Sequence, residues 1–173
     1  MGMTIVEISS ETEPSSTVWA EAPLSAEHAT MSASGNNARA ARALQRVTMS
    51  DTTTRGIRVE VESEYLADRS DRDTFYFSYH VRISNLGDET AQLVSREWII
   101  TDGDGNVERV EGPGVVGEYP VLASGEAYEY TSFCPLPTSV GTMHGAYTMR
   151  TRSGETFEAT IAPFTLAVPG VDN

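Results

Sequence analysis

The sequence predicts an all-β domain: an immunoglobulin/fibronectin-III-like antiparallel β-sandwich with a flexible N-terminal extension. From Gly56 onward, apolar and polar residues alternate with the period of two that is typical of half-buried strands. Turn signals rich in Gly, Asn and Asp separate these segments about every eight to twelve residues. No segment after residue 50 has a helical period. The name describes architecture alone, because one cysteine cannot form the disulfide of antibody domains.

The N-terminal region differs in composition from the rest of the chain. Residues 1–55 contain a single aromatic residue, Trp19, and all other aromatic residues follow Gly56. We therefore predict a disordered, low-complexity extension over residues 1–55 and a folded domain over residues 56–173. Residues 37–47 have a short helical periodicity, but a lone helix of about ten residues is marginal in water.

The folded region begins with three long strands. Apolar residues over 57–65 alternate with Arg and Glu, which predicts one face against a core and one in water. A second strand over 75–83 pairs with the first, and a third covers 91–101, with Trp98 as a core anchor. Shorter strands are predicted over residues 107–110, 121–122, 127–132, 145–151, 156–161 and 164–168.

Net charge excludes several classes of partner. The 25 Asp and Glu residues outnumber 12 cations, which are all arginines, and the formal net charge is −13. This field repels nucleic acid and anionic lipid, whose binding depends on Lys and Arg. The lone cysteine, Cys134, and a start without a basic, apolar signal sequence predict a reducing, cytoplasmic location.

One glycine-rich segment is a candidate ligand site. Residues 112–117 spell G-x-G-x-x-G, but Pro120 leads into another strand, so no helix is present to bind a dinucleotide. Glycines permit positive φ, and the loop N–H groups can then turn toward one anion as a backbone nest. We therefore predict an anion site, with a purely structural loop as the alternative. Its residues are Gly112, Gly114, Val115, Val116 and Gly117, with Arg96 and Arg109 supplying charge.

No other motif indicates catalysis or a metal. Residues 102–106 resemble the opening of a calcium-binding loop, but Val107 and Pro113 occupy positions that require Gly and Glu. The histidines and Cys134 lack the spacing of metal ligands. Cys134 precedes Pro135 without a neighbouring cation, which predicts a packed side chain and not a nucleophile. We therefore predict no metal, no cofactor and no catalytic residue.

Several linked blocks of the sequence resemble the ApaG family in order and spacing. They are residues 98–103, 110–120, 124–126, 130–132, 141–149 and 163–166. The resemblance covers about residues 56–170. Pro113, Tyr119 and the pair Phe133 and Cys134 depart from the family pattern. Pro113 also removes one N–H from the predicted anion loop.

The resemblance implies a fibronectin-III or immunoglobulin-like sandwich. This domain occurs alone in bacteria and as an interaction domain of some eukaryotic F-box and polymerase-delta-interacting proteins. It also implies a glycine loop for pyrophosphate or nucleotides, here Gly112, Gly114 and Gly117, and an indirect link to cobalt and magnesium efflux. We therefore expect a non-enzymatic module that recognises a protein partner or a phosphate-bearing small molecule. The alternative is an enzyme acting on pyrophosphate-containing nucleotides.

Overall fold

The computed structural model describes residues 48–170, which form two antiparallel β-sheets packed face to face. The strands in chain order are β1 (Thr48–Thr54), β2 (Ile57–Tyr65), β3 (Phe75–Asn85), β4 (Ala91–Asp102), β5 (Val107–Pro113), β6 (Val121–Leu122), β7 (Ala127–Leu136), β8 (Val140–Thr151) and β9 (Thr156–Ala167). One sheet has the order β1-β2-β3-β7, and the other has the order β5-β4-β8-β9, with β6 beside β4. The predicted β-sandwich is confirmed.

The core lies between the two sheets. Inward-facing residues of β2 and β3, such as Val61 and Val81, are fully buried. Trp98 lies at the centre, with its ring 5.3 Å from that of Tyr79 and 6.0 Å from that of Phe164. These aromatic packings and the burial of Trp98 confirm its predicted role as a core anchor.

The two sides of the sandwich differ. On one side, β9 packs against β1 and β2. The Thr160 N–H donates to the Thr54 hydroxyl at 3.2 Å, and the Ser63 hydroxyl donates to the Thr165 carbonyl at 2.9 Å. On the other side, β5 and β7 are the edge strands of their sheets. The candidate site lies on that second side.

The sandwich begins earlier in the chain than residue 56. Strand β1 lies within the predicted extension and pairs with β2 over its whole length, from Thr48 opposite Ser63 to Thr54 opposite Ile57. Arg55 and Gly56 form the turn between them, with φ of 48° and 83°. The described part of the extension is thus a strand, and the helical periodicity at 37–47 lies outside the described residues.

Several strands extend beyond their predicted ends, and the differences are largest in β8 and β9. β8 begins at Val140, five residues before the predicted start at residue 145. The predicted strands at 156–161 and 164–168 are one strand, β9. Pro163 is tolerated there because it lies at a register irregularity of an edge strand, where proline costs no regular ladder hydrogen bond.

Candidate functional site: the β5 edge and its glycine loop

Strands β5 and β6 run along the same side of β4 and are separated by a protrusion. Residues 107–113 pair with residues 95–101 of β4, and residues 121–122 pair with residues 91–92. We call residues 114–120 between them the glycine loop. The loop is therefore an excursion from an edge strand and not a strand-to-helix connection.

The tip of the glycine loop is a tight two-residue turn. The Val115 N–H donates to the Glu118 carbonyl at 2.9 Å, and the Glu118 N–H donates to the Val115 carbonyl at 2.8 Å. Val116 and Gly117 between them have φ of 49° and 77°. Positive φ at both central positions is the conformation of a type I′ turn.

Two glycines of the motif are explained by close approaches within the protein. A Cβ on Gly114, which has φ of 57°, would lie 2.3 Å from the Glu118 carbonyl oxygen. A Cβ on Gly112 would lie 2.9 Å from both terminal nitrogens of Arg96. The fold therefore requires glycine at position 114, whereas a Cβ at position 112 would displace the guanidinium of Arg96.

Arg96 is a buried support of the glycine loop. It lies on the inward face of β4 with Trp98, and only 9% of it is exposed. Its Nη1 donates to the carbonyls of Pro113 and Gly114, each at 2.9 Å. Burial lowers the pKa of the guanidinium from its ordinary value. The charge predicted to bind an external anion thus faces the loop's own carbonyls.

Arg109 lies on the other face of the same sheet. Its Nε contacts a Glu97 carboxylate oxygen at 2.9 Å, and its Nη2 contacts Glu111 at 2.7 Å. The structure therefore does not bring Arg96 and Arg109 together. A cleft of about 420 Å³ on this outer face is lined by three glutamates, Glu97, Glu111 and Glu158, and also by Arg96 and Gly112. Acidic side chains predominate in it, which disfavours an anion.

The N–H groups of the loop are partly used by the protein. Gly114 donates to the Val94 carbonyl at 2.9 Å, and Val115 donates to Glu118. Within residues 48–170, the N–H groups of Val116 and Gly117 donate to no backbone carbonyl. The predicted anion site stays a prediction. The loop offers it the N–H groups of Val116 and Gly117, whereas the sequence suggested four successive N–H groups.

Pro113 affects the open edge of β5 and not the turn at the tip of the glycine loop. It lies opposite Ser95 at the end of β5, and its backbone nitrogen points away from β4. Its missing N–H would therefore have pointed to the open edge. Proline at such a position is a common protection of edge strands against pairing.

The conformation of Val116 is strained. A β-branched residue with φ of 49° is a backbone outlier, and such strain costs about 1–3 kcal/mol. Val115 beside it is fully buried, and Val116 packs partly against the core. Strain of this kind is often concentrated at functional segments, which draws attention to the loop tip.

We expect Val116→Asn to raise the free energy of unfolding by about 1 kcal/mol, because asparagine adopts positive φ readily at this turn position. Urea unfolding measures the change. Val115→Asn is the matched control and should destabilise the protein, since it buries a polar amide. Destabilisation by Val116→Asn would show that side-chain packing outweighs the backbone strain.

Three exposed hydrophobic residues lie along the same edge, and their exposure was not predicted from the sequence. Val107 is 65% exposed, Val121 is 55% exposed and Tyr119 is 48% exposed. Only Met49 and Leu86 are comparable among the large hydrophobic residues that the structure describes. The available signal was the alternation of β5, which places Val107 on its outer face.

Among residues 48–170, no strand lies beside the open side of β5. The Gly114 N–H bonds the Val94 carbonyl, and the Asp102 N–H bonds the Asn106 carbonyl. Bonded pairs recur at every second residue of an antiparallel ladder. Three residues of β5 therefore direct N–H and C=O groups away from β4: Val107, Arg109 and Glu111.

The other sequence candidates lie elsewhere. His80 lies on the outer face of the first sheet, 3.0 Å from the Thr131 hydroxyl and 3.6 Å from a Glu129 oxygen. The Asn106 side-chain amide, together with backbone N–H groups of the turn that begins at Asp102, donates to the Asp102 carboxylate and lowers its pKa. In the described part of the chain, no group of three or more His, Cys, Asp or Glu residues is placed to hold a metal ion.

Cys134 is buried in the core, as predicted for a packed side chain. Burial raises the pKa of its thiol to about 12. An unfolded thiol has a pKa of about 8.5, so above that pH the unfolded state loses a proton that the folded state keeps. The stability contributed by the protonated thiol is complete below about pH 8.5 and falls as the pH rises toward 12.

We therefore expect the wild-type free energy of unfolding to fall by about 2 kcal/mol more than that of Cys134→Ala between pH 8 and pH 10. Chemical unfolding of both proteins at the two pH values measures this difference. Equal slopes would show that the thiol ionises as easily in the folded protein as in the unfolded chain.

The fold and the edge define an immunoglobulin/fibronectin-III-like β-sandwich domain, and comparisons with known proteins name its family. The ApaG domain (DUF525) model matches residues 66–151. Protein ApaG of Anaeromyxobacter sp. strain K is 54% identical over 125 residues, which cover 72% of this chain and 100% of that protein. Protein ApaG of Rhodospirillum centenum is 54% identical over 123 residues, 70% of this chain and 95% of that protein.

A solved structure of the ApaA protein from Bordetella pertussis is 49% identical and superposes with a TM-score of 0.65 over 66% of this chain and 95% of that one. The chain belongs to the ApaG family, as its sequence blocks predicted. Within residues 48–170, no helix is long and apolar enough to span a membrane.

Proposed function

We propose that this protein is a non-enzymatic binding module that recognises an extended segment of a protein partner along the β5 edge. One observation carries the proposal: an edge strand directs the backbone groups of Val107, Arg109 and Glu111 to the open side of the sheet. An added strand would satisfy these groups with main-chain hydrogen bonds. We place this recognition in the cytoplasm, on the evidence of the lone thiol of Cys134.

The exposed hydrophobic residues supply side-chain selectivity. Val107 lies at one end of β5, and Tyr119 and Val121 lie beyond the other end. A bound segment that follows the edge would contact apolar groups at both ends. Tyrosine is enriched among the residues that contribute most of the binding energy at interfaces, so Tyr119 is the expected anchor and the two valines add apolar contact around it.

The β7 edge is less suited to strand addition. Pro135 lacks an N–H near the end of that strand. Glu129 on its outer face is held by Arg82 and lies near His80. These contacts extend through Glu60 to Arg58 and form a continuous row of ion pairs across the first sheet.

A phosphate-bearing ligand at the glycine loop is the second candidate, and the N–H groups of Val116 and Gly117 favour it. Against it, Nη1 of Arg96 is bonded to loop carbonyls, and Arg109 is paired with two glutamates. Titration of labelled protein with pyrophosphate tests it. Saturable shifts confined to these two amides would support the anion site.

The enzymatic alternative has a separate test. Incubation with diadenosine polyphosphates and Mg²⁺, followed by analysis of the products, would reveal hydrolysis. Turnover that is lost on mutation of an acidic residue would replace the binding proposal with an enzymatic one. An indirect role in cobalt and magnesium homeostasis would, on our proposal, act through the bound partner.

Selection from a library of displayed extended peptides tests the main proposal. The full chain is the bait, and affinities of selected peptides are then measured for Arg109→Pro, which removes one outward N–H of β5. We expect at least a tenfold loss, equivalent to about 1.4 kcal/mol or more. Arg109→Ala keeps the N–H and should retain binding.

Ala127→Pro is the matched control, because Ala127 lies on the β7 edge. It should leave the affinity unchanged. Equal affinities of wild type, Arg109→Pro and Ala127→Pro for every selected peptide would contradict recognition at the β5 edge.

A further inference from the structure

We infer that the β5 edge is self-complementary and pairs in an antiparallel register with β5 of a second copy of this chain. The inference rests on the proposed function, because it uses the same edge and names one occupant of it. It follows from the order of charges along the outward positions of the strand. The pairing would extend the β5-β4-β8-β9 sheet across a two-fold axis.

Backbone geometry restricts the possible registers. Only residues with outward N–H and C=O groups can form the bonded pairs, and these are Val107, Arg109 and Glu111. A symmetric antiparallel pair can be centred on Arg109, on Val110 or on Glu111, or one residue further toward either end. Each centre opposes a different set of side chains.

Charge selects one of these centres. With Val110 at the two-fold axis, Arg109 of each copy lies opposite Glu111 of the other, which gives two attractive pairs. With Arg109 at the axis, two arginines oppose each other, and with Glu111 at the axis, two glutamates do. Opposite charges directly across an antiparallel pair are stabilising, and like charges are destabilising.

The residues on the inward face of β5 also favour pairing centred on Val110. Val110 packs partly against the core and would meet Val110 of the second copy at the axis. Glu108 would lie opposite Gly112, so no like charges meet on this face. A centre on Glu108 would instead place two glutamates together.

Pro113 limits the length of the pairing. In this register it lies opposite Val107 of the second copy, but it has no N–H to donate, and its carbonyl accepts from Arg96 Nη1. Arg109 and Glu111 form complete bonded pairs, and the proline ends the ladder on each side. The dimer therefore closes and does not extend into a fibre.

Charge reversal tests the register. Arg109 and Glu111 are each 60% exposed at the side chain, so reversal at either position should leave the fold intact, which thermal unfolding checks. We expect Arg109→Glu alone and Glu111→Arg alone to be monomers, because each opposes like charges. An equimolar mixture of the two variants should associate, because every opposed pair is then attractive.

Sedimentation equilibrium of the full chains measures the mass. It is best done at about 0.15 M salt, where a Debye length of about 8 Å screens the repulsion between two acidic chains. Wild type and the double variant Arg109→Glu/Glu111→Arg should reach twice 18.8 kDa. The single variants should remain at 18.8 kDa and the mixture should return to twice that mass.

Two results would overturn the inference. One is a wild type that stays monomeric up to about 1 mM, the scale of a weak interface. The other is a dimer that both single reversals leave unchanged, since its interface would lie elsewhere. Peptide capture by the monomeric Arg109→Glu variant, which keeps its outward N–H, reports separately on the proposed function.

Discussion

Replacing Arg96 with methionine is expected to lower the free energy of unfolding by about 2–4 kcal/mol. The substitution keeps most of the buried side-chain volume but removes the donor that bonds the carbonyls of Pro113 and Gly114. Buried acceptors left without a donor cost about 1–3 kcal/mol each. The glycine loop also loses its support from the inner face. Urea unfolding of both proteins measures the change.

Arg109→Met is the matched control. Arg109 is exposed, and its two ion pairs are at the surface, where such pairs contribute about 0–1 kcal/mol. Equal effects of the two substitutions would contradict the structural role of Arg96. A second comparison is Gly112→Ala, which should cost less in an Arg96→Ala background, because the guanidinium 2.9 Å from the added Cβ is then absent.

Replacing Trp98 with alanine is expected to lower the free energy of unfolding by about 3–5 kcal/mol, because it opens a large cavity at the centre of the core. The indole is fully buried and packs against the rings of Tyr79, Tyr147 and Phe164. These residues come from three strands, so the loss weakens contacts between both sheets. Urea unfolding measures the change.

Trp98→Phe should lower the free energy of unfolding by less than half as much, since the phenyl ring fills most of the space that the indole leaves. Val107→Ala, at a position 65% exposed, should change stability by no more than about 0.5 kcal/mol. A Trp98→Ala protein as stable as Val107→Ala would show that the centre of the core lies elsewhere.

Alternation made the long strands predictable. In β2 and β3 the apolar residues occupy every second position, so both the strands and their buried faces followed from the sequence. β1 has no such signal, because its residues are Thr, Met, Ser and Asp and only Ser50 is buried. Its pairing with β2 depends on backbone hydrogen bonds that side-chain type does not reveal.

The glycine motif was located correctly in sequence, but its geometry depends on contacts between distant residues. Gly112 accommodates Arg96, and Gly114 accommodates the Glu118 carbonyl. Arg96 has the same parity as Trp98 and Ile100 in β4, so alternation alone placed it in the core. We assigned it to the anion site for its charge, whereas its Nη1 bonds two carbonyls of the protein itself.

Which strand forms the open edge was not predicted, because this depends on strand order. Nothing in residues 107–111 shows whether a further strand lies beside them. Only the order β5-β4-β8-β9 makes β5 an edge. The hydrophobic residues at its ends, Val107 and Val121, acquire significance only once that edge is known.

Amide hydrogen exchange of the full chain, with and without a saturating selected peptide, tests recognition at the β5 edge most directly. The protein is kept dilute enough to avoid self-association. We predict added protection at alternate residues Val107, Arg109 and Glu111, whose N–H groups point outward, and none at Val116 and Gly117. Protection confined to Val116 and Gly117, with none along β5, would contradict the account and favour the glycine loop as the binding site.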